Sequence, residues 1–214
     1  VKLAVADIPP SIRFKGTLYE AWQWTDKKGK NILITSVVAP FADKPKMEGE
    51  EEGQSAELHA FHFVSQDTGY NKLWQISDAE KGCPFDITTT FVKNAISVTD
   101  LDNNGIAETW VPYKLACRSD VSPSYMKIIM HEDTLKSGLR GLMWVQTGEK
   151  DSFAVTQNDM NLEKLPKPKD EFDQWLQRCG RYETEKEFAR APAAFLEYAR
   201  AQWMKYAKET FEEQ

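Results

Sequence analysis

Four times along this chain a run of β-branched and aromatic residues breaks at a short Asp-, Asn- or Gly-bearing turn and then resumes. "TLYEAWQWTDKKGKNILITSVVA" does so around Asp26 to Gly29 and "AELHAFHFVSQDTGYNKLWQIS" around Asp67 to Gly69. "VTDLDNNGIAETWV" turns around Asp100 to Gly105, and "SYMKIIMHEDTLKSGLRGLMWVQT" near Glu132 and Asp133. Polar turn residues between apolar runs are the signature of hairpins, and four in series give a meander of about eight strands. The expected class is mainly β with added helix (α+β). Its antiparallel hairpins form a curved sheet, a sandwich or propeller-like blades, with C-terminal helices packed on them. Strand side chains alternate with period two, so Trp22 and Trp24 share one face, as do Phe61 and Phe63, and both pairs are expected in the core.

The charge run "KPKMEGEEEGQSAE", residues 44–57, lacks periodicity and reads as a solvated connector between the first two hairpins. After residue 164 the pattern changes to helical. Asp170 can cap a helix carrying Phe172, Trp175, Leu176 and Cys179 that stops at Gly180. Thr184 and Glu187 form a capping box for a short second helix. Pro192 suits the first turn of a third, with Phe195, Leu196, Ala199, Trp203 and Tyr206 on one stripe. The expected organisation is an antiparallel β domain over 1–164, with the loop at 100–108, and a helical extension of the same domain over 165–214. The apolar stripe of that tail should cover one face of the sheet, since a surface helix normally buries its apolar side in its own domain.

A chain of 214 residues, 41% hydrophobic and 28% charged, has the composition of a folded globule. At that length it can bury roughly 70% of the surface its unfolded form exposes. No apolar run approaches the roughly 18 to 20 residues needed to cross a bilayer, so the chain is not expected to span a membrane. A net charge of −6 works against nucleic acid, whose affinity for proteins comes mostly from clustered Lys and Arg. The start, VKLAVADIPP, has no initiator Met and no basic-plus-apolar signal segment, as expected of a mature or trimmed product. Cys83, Cys117 and Cys179 allow one disulfide and one thiol in three pairings; small buried hydrophobes are the preferred reading, because free Cys is among the most buried residue types.

No stretch carries a catalytic signature: there is no GxSxG elbow, P-loop, dinucleotide fingerprint or HExxH. His59 and His62 fall on opposite faces of one strand and cannot share a metal without a bulge. The acids Asp86, Asp120 and Glu132 cannot be paired from sequence, which leaves a carbohydrate-processing enzyme as the rival class. Arg118 and Asp120 are expected to pair or to order a loop beside Cys117.

Residues 100–108 carry the one legible piece of chemistry. Asp100, Asp102 and Asn104 stand at positions one, three and five of a small calcium loop, Gly105 at the sharp turn of position six, the Ile106 carbonyl at seven and Glu108 at nine. Val111 stands at position twelve, where an EF-hand has its bidentate Glu, and the flanks are strands, so this is no EF-hand. An Asn-Gly hairpin turn capped by its own Asp and Asn side chains needs no metal and is the alternative. Three carboxylates within nine residues, however, repel one another in an empty loop, and a divalent cation removes that repulsion. The expected ligands are Asp100, Asp102, Asn104, Ile106 and Glu108, with calcium as the ion. The turns at Asp26 and Asp67 lack the acids and are expected to stay empty.

The pattern D-x-D-x-N-G-x-x-E between strands resembles the FG-GAP and related calcium loops of propeller-type extracellular domains, in which the position-nine acid binds the ion directly. Glu108 stands here where Asp is more usual. Residues 87–132, with DLDNNGIAE and "CRSDVSPSYMK" as markers, look like a poorly characterised family of secreted bacterial proteins loosely linked to surface-polysaccharide biosynthesis. The resemblance covers about a quarter of the chain and implies a secreted or periplasmic address but no reaction. Together these features lead us to expect a non-catalytic, calcium-braced domain that binds or supports a cell-surface glycan or protein.

Overall fold

The computed structural model describes residues 1–43, 53–67, 69–146 and 153–209. The first sheet takes β1 (Thr17–Asp26), β2 (Gly29–Ala42), β3 (Gln54–Gln66) and β4 (Gly69–Cys83) in sequence order, antiparallel throughout. Of the expected connector, residues 44–52 lie outside the described residues, while Gln54 to Glu57 belong to β3 rather than to a loop. The second sheet holds β5 (Asp86–Phe91), β6 (Ser97–Thr99), β7 (Glu108–Arg118), β8 (Tyr125–Glu132) and β9 (Leu135–Leu142). β5 and β6 lie end to end along one edge of β7, on Tyr113 to Arg118 and Glu108 to Trp110 respectively, and β8 and β9 continue from its other edge. All four expected reversals are hairpins. β5, with its run of three threonines, was not among the expected strands.

Two antiparallel sheets, neither closed into a barrel, pack face to face as a sandwich. Leu33, Leu58, Ala60 and Ile76 of the first meet Phe91, Val111, Tyr113, Leu115 and Ile129 of the second. Trp22 and Trp24 lie on this inner face and are half-buried; Phe61 and Phe63 point the other way, where Ile12 and the N-terminal segment cover them. The outer face of the second sheet, Trp110, Met126, Ile128, Met130 and Leu139, is covered by α2 (Ala193–Tyr206) through Phe195, Ala199 and Trp203. The layers therefore run N-terminal segment, sheet, sheet, helix.

The helical tail divides into two behaviours. α2 follows expectation, with Trp203 fully buried and its indole N–H donating to the Gly180 carbonyl at 3.0 Å. α1 (Glu171–Arg178) is capped by Asp170 as expected, but its stripe faces solvent: Phe172 is 68% exposed, and Trp175 and Leu176 are 45% each. Eight residues give only about two turns, and the sheet face is already occupied by the longer helix. The expected capping box is a 3₁₀ turn, Lys186–Phe188, in which Thr184 accepts from the Lys186 N–H at 3.2 Å while Glu187 pairs with Arg140.

Cys83 and Cys117 form a disulfide joining the end of β4 to β7, which corrects the reading of all three cysteines as free thiols; Cys179 alone is free and buried. With 34 residues between its ends the bridge stabilises by about 4 kcal/mol in the chain-entropy account. Arg118 and Asp120 order the loop after β7, Arg118 donating to the Ser122 carbonyl and Asp120 accepting from the Ser122 N–H. The Arg118 guanidinium also reaches the buried Glu209 at 3.2 Å, which takes Lys114 and both donors of Ser124 as well. This carboxylate ties β11 (Lys208–Glu209), paired in parallel with β10 (Trp144–Val145), to the second sheet. Burial raises the Glu209 pKa, but Arg118, Ser124 and Lys114 overcome it and hold the group at about 2.

Between the sheets Trp24, His62, Trp74 and His131 form a column, the last two rings stacked at 4.1 Å. Burial lowers His62 to about 4 and His131 to about 3. Because both are depressed below the ordinary 6.5, the unfolded chain binds more protons between that value and the folded ones. Stability is therefore present above pH 6.5 and lost as pH falls, by about 2 kcal/mol per histidine at pH 5. Denaturant titrations at pH 7 and 5 should show this loss, and His131→Phe, which keeps the stack and removes a ring nitrogen (Nδ1) with no partner, should halve it. An equal loss in the variant would refute the assignment. In a second set at pH 7, Trp203→Ala should cost about 3 to 5 kcal/mol. Trp175→Ala should cost under about 1.

Candidate metal centre

Loop 100–107 joins β6 to β7 and is shaped by its own side chains. Asp100 accepts from the Gly105 N–H at 3.2 Å, Asp102 from the Asn104 N–H at 3.1 Å, and Asn104 from the Ile106 N–H at 2.7 Å. Gly105 has φ +80°, a backbone conformation that favours glycine, whereas the nearest atoms a Cβ would meet belong to the movable end of the Lys27 side chain. These bonds fold the loop into successive Asx turns and draw Asp100 and Asp102 toward the start of β7.

There they meet Glu108, which is completely buried. One carboxylate oxygen from each of Asp100, Asp102 and Glu108 lies within 4.8 Å of the others. Opposite oxygens around a hard cation at about 2.4 Å are separated by about 4.8 Å, so the three fit one coordination shell. The donor set is oxygen alone, which suits a hard divalent ion and not a thiolate- or imidazole-seeking one.

Two further features sharpen the charge problem. Glu132 stands directly opposite Glu108 across β7 and β8, and a like-charged cross-strand pair is destabilising. The Asn104 amide nitrogen donates to both Asp102 and Glu132, bringing the fourth acid to the rim of the cluster. Burial, opposed by hydrogen bonds from Thr99 and the Leu101 N–H and reinforced by Asp102, raises the Glu108 pKa. Burial likewise raises that of Glu132, with Asp102 and Asp100 adding to it. Among the described residues no Lys, Arg or His forms an ion pair with any of these four acids.

The other sheet closes the loop from outside. The Lys27 N–H donates to the Gly105 carbonyl at 2.8 Å and its ammonium to the Asn104 carbonyl. Asp26 accepts from Trp24, from the Lys28 N–H and from the Ala107 N–H, while Lys28 pairs with Asp133 at 2.6 Å. Three turns from two sheets thus gather at one end of the sandwich. Asp26 serves the scaffold here.

Of the five expected ligands, Asp100, Asp102 and Glu108 converge. Asn104 is committed to shaping the loop, its oxygen accepting from Ile106 and its amide nitrogen held by acids, although a carbonyl oxygen keeps a second lone pair. The Ile106 N–H is fixed by that same bond. Glu132 was missed, because only the β7–β8 register brings it across from Glu108. His59 and His62 lie on opposite faces, His59 bonded to Ser77 and Glu57 and His62 to Asn31.

Glu108→Gln removes the most buried of the crowded charges. In chelator it should raise the unfolding midpoint relative to the parent, and in millimolar calcium the order should reverse because the parent alone gains from the ion; thermal melts under both conditions check this. Comparison with protein-family models, with curated proteins and with solved structures finds no match to this chain.

Proposed function

We propose that this protein is a non-catalytic, calcium-braced domain that works outside the cytoplasm and binds or supports a cell-surface component, with glycan as the favoured class. The observation carrying the metal half is the convergence of Asp100, Asp102 and buried Glu108 with no cationic side chain among the described residues paired to them. Calcium is preferred because the oxygen-only set, at loop positions one, three and nine, is arranged around a glycine at six.

Magnitude argues for the compartment. Extracellular-grade loops bind with Kd on the order of 0.1 to 1 mM. At about 1 mM free calcium the tight end of that range adds about 1.4 kcal/mol to stability, and cytosolic concentrations add almost nothing. A disulfide joining the two sheets fits the same oxidising setting. The resemblance of residues 87–132 to secreted bacterial proteins points the same way. No helix among the described residues is long and apolar enough to cross a membrane.

Binding rather than catalysis is favoured by where the acids and aromatics fall. Asp86 pairs in register with Arg118 at one end of β7 and Glu132 with Glu108 at the other, about 30 Å apart at the rise of a strand. That is too far for Asp86 and Glu132 to serve together as the two carboxylates of a glycosidase, which work about 5 to 10 Å apart. Phe172 and Trp175 are exposed, with ring centroids 6.3 Å apart, and an aromatic pair open to solvent suits a binding surface.

Calorimetry should detect calcium uptake by the parent with Kd on the order of 0.1 to 1 mM and none by Asp102→Ala. The same heat in both proteins refutes the metal half. A glycan screen should find retention without release of reducing ends; turnover would instead establish the carbohydrate-processing alternative.

A further inference from the structure

A second constellation of reactive groups stands on the outer face of the first sheet. Glu57 and His59 are two residues apart on β3 and point to the same side as Phe61, while the register sets Ser77 of β4 directly opposite His59. His59 Nδ1 lies 2.9 Å from the Ser77 hydroxyl, and its Nε2 lies 3.0 Å from the Glu57 carboxylate. Both distances are within reach for a nucleophile, its base and the group that orients the base.

The protons in this series can be placed from its ends. Lys15 pairs with Glu57, and its hydrogen bond, helped by His59 and opposed by burial, lowers the Glu57 pKa. A charged carboxylate only accepts, so His59 donates its Nε2–H there and keeps the lone pair of Nδ1 for the Ser77 proton. The Gln75 amide, two residues before Ser77 on the same face, donates to the Ser77 oxygen and leaves the hydroxyl hydrogen for His59. Donation therefore runs one way, from Gln75 through Ser77 and His59 to Glu57.

Base and nucleophile differ in access. His59 is 6% exposed and its ring stacks on Phe61 at 5.8 Å, which fixes its orientation. Ser77 is exposed, and with Glu57, His59, Asp78, Ala79 and Lys81 it lines a cavity of about 430 Å³. That volume is within the range of small-ligand sites.

We propose that Ser77 is an acyl-acceptor site, its oxygen attacking the carbonyl carbon of an activated ester while His59, oriented by Glu57, takes the hydroxyl proton. The bond from Oγ to that carbon forms, the bond from the carbon to the leaving alcohol oxygen breaks, and the proton passes from His59 to the leaving oxygen. Lys81 supplies a positive charge in the same cavity as the carbonyl oxygen gains negative charge. An activated donor brings a good leaving group, whereas loss of the acyl group would have to expel the serine alkoxide. The ester therefore persists, and the event is a modification of the chain rather than turnover. It goes beyond the calcium and glycan readings and depends on neither.

The test incubates the full chain with p-nitrophenyl acetate at neutral pH, follows nitrophenolate release, and locates acetyl groups by peptide mass spectrometry. Ser77 should be acetylated at least about tenfold faster than Ser122, since a positioned general base gives about 10² to 10⁴. Ser122 is the internal control, being exposed and bonded to the Asp120 carboxylate but to no histidine. Release should end near one equivalent per chain. His59→Gln should bring Ser77 down to the rate of Ser122. Glu57→Gln, at a half-buried position that leaves the serine–histidine pair in place, should slow Ser77 by about tenfold or more, with thermal melts reporting that each variant is folded. Equal rates at Ser77 and Ser122, or Ser77 labelling unchanged in both folded variants, would overturn the proposal. Release continuing well past one equivalent would overturn it in favour of turnover.

Discussion

β7 is covered on both faces, by the other sheet on one side and by α2 on the other, and almost everything of functional interest is attached to it. Its inward residues Val111, Tyr113 and Leu115 belong to the inter-sheet core, while Trp110 and Met126 beside it belong to the core under the helix. A strand buried on both sides cannot slip by one residue without exchanging the two cores, so its register is strongly specified. That rigidity fixes Glu108 at one end and Cys117, Arg118 and Lys114 at the other. The disulfide then carries the constraint into the first sheet, and Glu209 carries it into the C-terminal strand.

Fixing Glu108 in the interior has an electrostatic consequence. A carboxylate taken out of water is costly unless paired or richly hydrogen-bonded, and this one receives the Thr99 hydroxyl at 2.6 Å and the Leu101 N–H at 3.1 Å but no cation from the described residues. The Lys27 ammonium is close by, yet it is spent on the Asn104 carbonyl. One lysine also could not neutralise four acids. The same hydrogen bonds that shape the loop for a metal would shape a metal-free hairpin equally well, and it is the uncompensated charge, rather than the turn geometry, that separates the two readings.

How far all this could be read from residues alone depended on whether the signal was local. Turn chemistry and strand alternation marked four hairpins, and the two-residue spacing of Asp100, Asp102 and Asn104 marked the loop, because these features lie within a few residues of one another. Asp170 likewise announced the start of α1. Its stripe misled, since Phe172, Trp175 and Leu176 have the spacing of a packed face while nothing in the local pattern tells that α2 already fills the sheet. Glu132 opposite Glu108, Cys83 opposite Cys117 and Glu209 beneath Arg118 are products of register and topology. The cavity beside β5 and β7 was still less legible, since the residues lining it are spread from Tyr19 to Lys208.

The two ends of β7 therefore carry opposite charge, acids around Glu108 and cations around Arg118. Glu108 and Lys114 are six residues apart, about 20 Å at the rise of a strand, and Arg118 is about 33 Å away. At physiological ionic strength the Debye length is about 8 Å, so neither cluster feels much of the other's field through solvent. Occupancy of the loop by a cation accordingly has little direct electrostatic leverage on an anion at the far end. Any coupling between them has to pass through β7 itself, and a strand gripped by two cores and a disulfide offers no second arrangement into which it could switch.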